Sequence, residues 1–139
     1  MAGIYTVVNS HTWHEYLQIK LSKPLVPGQR YCVQMYVSPG DHATNTSNNI
    51  GMLFSVDPVT GKESITAKPQ INRTEPITDL EGWTLISGSY VAEYAAEYLT
   101  IGNFFTDEET TLVPIESGPK CTDGAYFYID DVSVMICPI

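Results

Sequence analysis

The chain has 139 residues, of which 43% are hydrophobic and 17% charged, and its 16 acidic and 7 basic side chains give a formal net charge of -9. This composition indicates a single globular domain, spanning residues 1–139, that is large enough to bury a core. The negative charge argues against nucleic acid and anionic lipid as partners, and against acidic polysaccharide unless metal ions bridge the two.

The sequence contains no apolar stretch as long as a transmembrane helix, and its first residues lack the basic region and apolar core of a signal peptide. We therefore predict no membrane insertion, and no export signal is visible. Because residues from Ala2 onward already have the character of a strand, we expect the domain to be a piece of a larger secreted protein.

Two segments in the first third of the chain, Glu15–Leu21 and Arg30–Ser38, alternate between apolar and polar residues as half-buried strands do. The faces predicted to point inward are apolar: Leu17, Ile19 and Leu21, then Tyr31, Val33, Met35 and Val37. The opposite faces carry tyrosine and glutamine together with Lys20 and Cys32: Tyr16, Gln18, Gln34 and Tyr36.

The middle of the chain predicts four more strands: Ile50–Val56, Ala67–Asn72, Gly82–Ala92 and Glu97–Phe104. Pro69 would be tolerated only at a sheet edge, and Gly88 indicates a bulge. Only Val91–Leu99 has a weak helical pattern. With a first strand at Ile4–Val8 and a last one described next, about eight strands joined by long polar loops predict an all-β, antiparallel β-sandwich.

The segment Ala125–Cys137 is dense in aromatic and β-branched residues, which predicts a long central strand. Its middle contains Asp130 and Asp131. If the strand is covered on both faces, one of these carboxylates must face inward or sit at a bulge. A buried carboxylate needs hydrogen bonds, a cation or a metal ion.

Three cysteines allow one intramolecular disulfide. Cys121 and Cys137 flank the last predicted strand and would lie roughly 35 to 50 Å apart at about 3.3 Å per residue, so they cannot pair. Cys32 and Cys137 become neighbours, able to form a disulfide, if their strands run antiparallel side by side. Two buried free thiols are the alternative.

Six segments follow one another along the chain: E-Y-L-Q-I-K-L, P-L-V-P-G-Q-R-Y-C-V-Q-M-Y-V-S, S-N-N-I-G-M-L-F-S, G-W-T-L-I-S-G-S-Y-V-A, E-Y-L-T-I-G-N-F and Y-F-Y-I-D-D-V-S-V. Their order resembles a module of secreted and outer-membrane-associated proteins of the Bacteroidetes, which is similar to the galactose-binding-like jelly roll of carbohydrate-binding modules. The resemblance covers nearly the whole chain and implies a jelly roll that is secreted or on the cell surface.

Modules of that kind usually begin some tens of residues earlier, so the resemblance implies that this chain starts at the family's second strand. It also implies a structural calcium at the pair Asp130 and Asp131, and a packing role for Trp83 at the start of its strand. Because one fold serves many ligands, the resemblance is specific for the fold and weak for function.

Several side chains have the chemistry to bind a hydroxyl-rich neutral ligand by stacking and directional hydrogen bonds. Trp13 lies in a polar loop between two histidines, where an exposed indole offers a flat apolar face to a sugar ring. The face of Tyr16, Gln18, Gln34 and Tyr36 is a second candidate, with a solvated outer face as the alternative. The polar loop Asp41–Asn49 could close over such a site, or be an ordinary connection.

Asp130 and Asp131 are candidate calcium ligands, with backbone carbonyls and a carboxylate from Asp107–Glu109, because oxygen ligands suit a hard cation. A hydrogen-bonded structural carboxylate is the alternative.

Successive strand residues point to opposite faces, so Asp130 and Asp131 cannot flank one scissile bond, and no catalytic motif is present. We therefore predict no enzymatic activity. His11 and His14 lack a nearby third ligand for a transition metal.

These observations predict a non-catalytic module that binds a neutral glycan. The competing hypothesis is a structural or adhesive module that contacts a protein partner, or another copy of itself, through a strand edge left open by the short N-terminus. Trp13 beside Tyr36 and Gln34 in one groove would favour the first hypothesis. An unpaired strand edge or a flat apolar patch would favour the second.

Overall fold

The computed structural model describes residues 2–9, 14–40, 43–60, 65–115 and 124–138. These residues form ten strands and no helix, so the weak helical pattern at Val91–Leu99 was misleading, and none of them forms a helix that could cross a membrane. The strands are β1 (Ala2–Val8), β2 (Tyr16–Lys20), β3 (Arg30–Pro39), β4 (Asn45–Ser47), β5 (Ile50–Ser55), β6 (Ile71–Arg73), β7 (Thr84–Val91), β8 (Tyr98–Gly102), β9 (Leu112–Pro114) and β10 (Gly124–Ile136).

The strands form two mostly antiparallel sheets whose inward faces share one core. The six-stranded sheet has the order β7-β3-β10-β4-β9, with β1 also paired to β10, and the four-stranded sheet has the order β2-β8-β5-β6. The all-β sandwich predicted from the sequence is therefore confirmed. Two strands were not predicted, β4 and β9, because three residues are too few to show a clear alternation.

The central strand of the six-stranded sheet is β10. It pairs antiparallel with β3 from Phe127 to Ile136, and with β1 over its first six residues only. Its register with β3 shifts between Asp130 and Ser133, and Asp131 has a φ of 52°. The carboxylate pair therefore sits at a bulge, which was one of the two arrangements that the sequence allowed.

The core lies between the two sheets, and β3 shows why the period-two pattern was informative. Its inward side chains, Tyr31, Val33, Met35 and Val37, are all buried, whereas Gln34 between them is exposed. The largest fully buried side chains come from both sheets and include Phe54, Ile101 and Phe127. One apolar face of each sheet is thus removed from water, which is the main stabilising contribution of a sandwich.

The predicted bulge at Gly88 was wrong. Strand β7 pairs with β3 in continuous register from Thr84 to Val91. A Cβ atom at Gly88 would lie 2.6 Å from Cδ1 of Ile71, so glycine at this position makes room for a side chain from β6. The expected edge strand is shorter than predicted but does lie at the edge of its sheet, where Ile71 closes one side of the sandwich.

A disulfide joins Cys32 on β3 to Cys137, the residue after β10, with a Cα–Cα distance of 4.9 Å. The antiparallel pairing of β3 with β10 brings the two cysteines together, because Met135 lies opposite Cys32. The cross-link therefore connects neighbouring strands of the six-stranded sheet. Cys121 lies outside the described residues.

Candidate functional site

The structure divides the four candidate tyrosine and glutamine residues between the two outer faces of the sandwich. Tyr16 and Gln18 lie on β2 in the four-stranded sheet, whereas Gln34 and Tyr36 lie on β3 in the six-stranded sheet. Packed sheets lie about 10 Å apart, and both pairs point away from the core between them. The expectation that these residues form one face was therefore wrong, because alternation indicates inside and outside but does not assign a strand to a sheet.

The outer face of the four-stranded sheet is partly covered by the chain that connects β5 to β6. The Tyr16 hydroxyl accepts a hydrogen bond from the Ile65 N–H at 2.7 Å and donates one to the Asn103 carbonyl at 2.6 Å. Its ring packs on Phe104, with the ring centroids 5.4 Å apart. Burial raises the pKa of the Tyr16 hydroxyl. This side chain holds the connecting segment in place and is not available to a ligand.

Gln18 has the same role on the same face. Its Oε1 accepts hydrogen bonds from the Val59 N–H at 2.7 Å and from the Thr100 hydroxyl at 3.0 Å. Thr100 is the register partner of Gln18 on β8, and it is only 1% exposed. The Tyr16 hydroxyl and the Gln18 side-chain oxygen are thus both used within the protein.

Asn49 is also used within the protein, and it is buried. Its Nδ2 donates to the Glu109 carbonyl at 3.2 Å, and its Oδ1 accepts from Asn72 Nδ2 at 3.1 Å. Its φ of 57° lies in the left-handed region, which asparagine tolerates. The described end of this loop forms strand β4 and the turn after it, and residues 41 and 42 lie outside the described residues.

Trp13 and His11 lie outside the described residues, so the binding role suggested for Trp13 stays a prediction. His14 is described and buried. One ring nitrogen, Nδ1, lies 3.1 Å from the Asn103 carbonyl oxygen, and the other, Nε2, lies 2.7 Å from an Asp107 carboxylate oxygen. Both nitrogens of His14 therefore face acceptors within the protein, which leaves neither for a metal ion.

The strongest candidate site is a groove on the outer face of the six-stranded sheet. Tyr36, Trp83, Asp130 and Asp131 line it, and its volume is about 290 Å³. Trp83 is 45% exposed, so the packing role implied by the resemblance was wrong. We call this site the Trp83 groove.

Strand register explains how these residues meet. Tyr36 on β3 lies opposite Asp130 on β10 and, on its other side, opposite Leu85 on β7. Trp83 lies two residues before Leu85, so the alternation of β7 places both on the same outer face. Gln34 lies on that face too, two residues from Tyr36 and exposed. The Trp83 groove thus combines residues from three neighbouring strands that are far apart in sequence.

The bulge in β10 shapes the acidic side of the groove. The Asp131 N–H donates to Oδ1 of Asp130 at 2.9 Å, and Asp131 itself is exposed. A bulge adds one residue opposite a single residue of the partner strand, which turns that extra side chain out of the regular alternation. Asp130 and Asp131 can therefore both reach the same groove, which regular strand geometry would prevent.

A turn just before β7 positions Trp83. Oδ1 of Asp79 accepts hydrogen bonds from the Gly82 N–H at 2.9 Å and from the Glu81 N–H at 3.1 Å. These two hydrogen bonds, the Gly82 bond first, lower the pKa of the Asp79 carboxyl. The charged form of Asp79 therefore favours the turn that delivers the indole to the groove.

The predicted calcium set does not assemble in the part of the chain that the structure describes. No three histidine, cysteine, aspartate or glutamate side chains there are grouped as metal ligands. Asp107 contacts His14, and a Glu109 carboxylate oxygen accepts hydrogen bonds from Thr106. Two carboxylates alone do not reach the six to eight oxygen ligands that calcium prefers. Calcium at Asp130 and Asp131 therefore stays a prediction, and the binding chemistry below does not depend on it.

Comparison with known proteins adds no assignment: no protein-family model, no curated protein and no solved structure matches this chain significantly.

Proposed function

We propose that this domain is a non-catalytic carbohydrate-binding module and that the Trp83 groove holds a neutral glycan. The observation that carries this proposal is the partly exposed indole of Trp83, which shares a groove with Tyr36 and two carboxylates. Nearly half of the Trp83 surface is exposed to water, so a ligand that covers it would bury apolar area, which is favourable.

Stacking would supply the apolar part of binding. A pyranose ring presents C–H groups on one face, and the flat surface of Trp83 offers them an apolar contact at low cost in side-chain entropy. Tyr36, one strand further into the sheet, adds a second ring and a hydroxyl that can donate or accept a hydrogen bond. A groove of about 290 Å³ is close to the lower end of the roughly 300 to 1,000 Å³ that small-molecule sites span.

The carboxylates would supply orientation. An ionised aspartate accepts hydrogen bonds only, and sugar hydroxyls are donors, so Asp131 and Asp130 would select a ligand with free hydroxyl groups. A net charge of -9 disfavours the binding of uronic acids and sulfated sugars. Neutral glycans are therefore the proposed ligand class. Because the bulge turns both carboxylates toward one groove, the expectation that they point to opposite faces was wrong, and the binding role proposed for them rests on their place beside Trp83 and Tyr36.

We further propose that the sandwich is of the galactose-binding-like jelly-roll type and that the domain belongs to a secreted or cell-surface protein of the Bacteroidetes. The order of the sequence segments supports this, and the Cys32–Cys137 disulfide, which persists in oxidising compartments, supports the secreted or cell-surface location alone. The structural calcium that this likeness implies is tested in the same experiment as glycan binding.

The test is a glycan array and a polysaccharide pull-down with the whole domain, in calcium and in chelator. Trp83→Ala tests the groove, and Trp13→Ala tests separately the binding role predicted for Trp13, since these are the two tryptophans of the chain. We expect neutral glycans to bind, and affinity to fall roughly 10- to 100-fold in Trp83→Ala, which corresponds to about 1.4 to 2.8 kcal/mol.

Circular dichroism establishes that each variant is folded. Binding lost in Trp13→Ala but kept in Trp83→Ala would contradict the proposed site. If the folded domain binds none of the neutral glycans, the proposed function is contradicted. Binding that disappears only in chelator would establish the calcium requirement.

A further inference from the structure

A cluster of three tyrosines lies on the outer face of the six-stranded sheet, beside the Trp83 groove. Tyr126 and Tyr128 on β10 alternate with the buried residues Ala125 and Phe127, so their side chains point away from the core. Tyr5 on β1 is the register partner of Tyr126 and points to the same side. All three tyrosines are partly exposed, so the cluster belongs to the solvent side of the sheet.

Two glycines let the Tyr126 ring lie across the sheet. A Cβ atom at Gly40, the residue after β3, would lie 2.8 Å from Cδ1 of Tyr126, and a Cβ atom at Gly3 on β1 would collide with the Tyr126 hydroxyl. The ring therefore runs over both glycines, from the β3 side of β10 to the β1 side. A larger side chain at either position would displace it.

Tyr5 and Tyr128 flank this ring. Tyr5 pairs with Tyr126 and Gly3 pairs with Tyr128, so the Tyr126 side chain leans diagonally toward Gly3 and passes between the other two tyrosines. Its ring centroid is 4.9 Å from that of Tyr5 and 5.7 Å from that of Tyr128, with interplanar angles of 74° and 87°. One ring flanked by two steeply inclined rings forms a depression, which we call the Tyr126 trough.

The hydroxyl groups of the trough differ from those of other tyrosines in the fold. Tyr31 accepts a hydrogen bond from the Val26 N–H, and Tyr94 donates one to the Phe54 carbonyl. In the trough, the side chains contact one another through their rings, and no hydrogen bond between described residues uses their hydroxyl groups. The one buried side-chain polar atom without a partner in the described chain is Oδ1 of Asn72, so the trough hydroxyls reach water. They can donate to and accept from a ligand.

The trough adjoins the Trp83 groove. Tyr128 lies two residues before Asp130 on the same face of β10, about 7 Å away along the strand. Ser38 on β3 lies opposite Tyr128, and Tyr36 of the groove is two residues before Ser38. Neighbouring strands lie about 4.8 Å apart, so the face from β7 across β3 and β10 to β1 is roughly 14 Å wide. This distance is wider than one sugar ring.

We propose that the Trp83 groove and the Tyr126 trough form one continuous site for a chain of several sugar residues, so that the domain binds an oligosaccharide segment and not a single terminal sugar. This inference rests on the function proposed above, because the groove holds part of the same chain. Sugar rings stack on Trp83 and on Tyr126, and the trough hydroxyls bond to hydroxyl groups of the chain. Two separate contacts raise the affinity for a ligand that reaches both at once.

Acidic residues at both ends of the site favour a neutral chain. One carboxylate oxygen of Glu15 accepts a hydrogen bond from the Tyr5 N–H at 3.0 Å. Burial, and then the charge of Glu15, raise the pKa of the Tyr126 hydroxyl, so this phenol keeps its proton for donation. An anionic sugar chain would meet Glu15 near the trough and Asp130 and Asp131 in the groove, which opposes its binding.

The length of the sugar chain is the variable that tests this proposal. The probes are a disaccharide and a hexasaccharide, released by partial acid hydrolysis from the neutral polysaccharide that the domain retains in the pull-down. Calorimetric titration measures their affinities. We expect the hexasaccharide to bind at least about tenfold more tightly than the disaccharide, because only the longer chain reaches both the groove and the trough.

Matched variants locate the gain in affinity. Tyr126→Leu removes the central ring of the trough, whereas Tyr98→Leu removes a partly exposed tyrosine from the four-stranded sheet. Tyr126→Leu should weaken hexasaccharide binding about fivefold or more and disaccharide binding less than about twofold, and Tyr98→Leu should change neither. Trp83→Ala should weaken both. If circular dichroism shows that Tyr126→Leu does not fold, NMR of the unmodified protein decides: the hexasaccharide should shift the amide signals of Tyr5 and Tyr128, and the disaccharide should not.

The outcomes separate this inference from the proposed function. Equal affinity for the two probes, or a hexasaccharide that leaves the signals of Tyr5 and Tyr128 unchanged, would overturn the continuous site and leave the groove as the site. A hexasaccharide that binds Trp83→Ala with full affinity would contradict the groove. Retention of no neutral polysaccharide by the folded domain would contradict the proposed function and the continuous site with it.

Discussion

The two outer faces of this sandwich carry similar side chains and use them differently. On the four-stranded sheet, Tyr16 and Gln18 bind the backbone of the segment that crosses from β5 to β6. On the six-stranded sheet, Tyr36 shares an open groove with Trp83, and Gln34 nearby is exposed. The difference is made by the connecting chain, not by the residue types. A tyrosine and a glutamine on a strand become a candidate site only where the described chain leaves their face open.

The largest predicted effect is the loss of stability when the disulfide of the six-stranded sheet is removed. No described segment crosses the open face as on the other face, and the Cys32–Cys137 disulfide closes a loop with a sequence separation of 105. Loop-closure entropy for about 100 residues predicts that the double variant Cys32→Ser, Cys137→Ser loses about 3 to 5 kcal/mol of unfolding free energy. Urea denaturation measures this loss.

The control for that experiment is Cys121→Ser, which removes the third thiol and should leave stability unchanged. A loss below about 1 kcal/mol in the double variant would mean that strand pairing alone fixes β3 to β10.

The matched substitutions Tyr16→Phe and Tyr36→Phe compare the faces directly. Tyr16→Phe leaves the Ile65 N–H without its acceptor and removes one of the two hydrogen bonds at the Asn103 carbonyl, the other being to His14. This should cost about 1 to 3 kcal/mol of stability and leave glycan affinity unchanged. Tyr36→Phe should change stability by less than about 0.5 kcal/mol and weaken glycan binding several-fold. Thermal unfolding and calorimetric titration measure the two quantities. Equal effects of both variants on both quantities would show that the faces do not differ.

The sequence predicted much of this fold, because period-two alternation reports which residues face the core. It identified the inward residues of β3, the long central strand, the neighbouring positions of Cys32 and Cys137, and a bulge as one option for Asp130 and Asp131. Alternation does not report which sheet a strand joins. For that reason Tyr16 and Tyr36 were assigned to one face, although pairing with β8 and with β10 separates them.

Asp131→Gly tests the acidic side of the groove alone. Glycine adopts the φ of 52° at this position without strain, so the bulge should persist and stability should change by less than about 1 kcal/mol. Loss of a charged acceptor should lower glycan affinity about tenfold, and Asp131→Asn, which keeps one acceptor, should lower it less. Unchanged affinity in Asp131→Gly would exclude this carboxylate from ligand contact.

The smallest predicted effect is a pH dependence of the turn before Trp83. The pKa of Asp79 is lowered in the fold by hydrogen bonds from Gly82 and Glu81, so its stabilising contribution is complete above the ordinary aspartate pKa of about 3.9 and is lost as the pH falls through the lowered value. Trp83 emission, measured in a Trp13→Phe background, should therefore change below about pH 4. Asp79→Asn, which keeps the acceptor without the charge, should show no such transition, and a transition that persists in it would assign the change to another group.

Trp83 shows why the site was harder to predict than the fold. In the segment W-T-L-I-S-G-S-Y-V, both Leu85 and Ile86 are apolar, so two phases of alternation fit the same sequence. Ile86 and Tyr90 are the buried members, which places Trp83 and Leu85 on the outside. If Tyr90 is taken as an inward residue and every second residue before it is counted as inward, Trp83 falls on the exposed face. No comparable signal in the sequence indicates that Asp130 and Asp131 of β10 reach the groove beside Trp83, because that depends on strand order and on the bulge after Asp130.

The most direct test of the central claim uses the fluorescence of Trp83 alone. Trp13→Phe leaves Trp83 as the single tryptophan of the chain. Acrylamide quenching of this variant is measured with and without the neutral glycan that binds best in the screen. We predict that the glycan protects Trp83 from quenching with a midpoint equal to its dissociation constant. A glycan that binds this variant with full affinity while the quenching of Trp83 does not change would contradict the assignment of the groove.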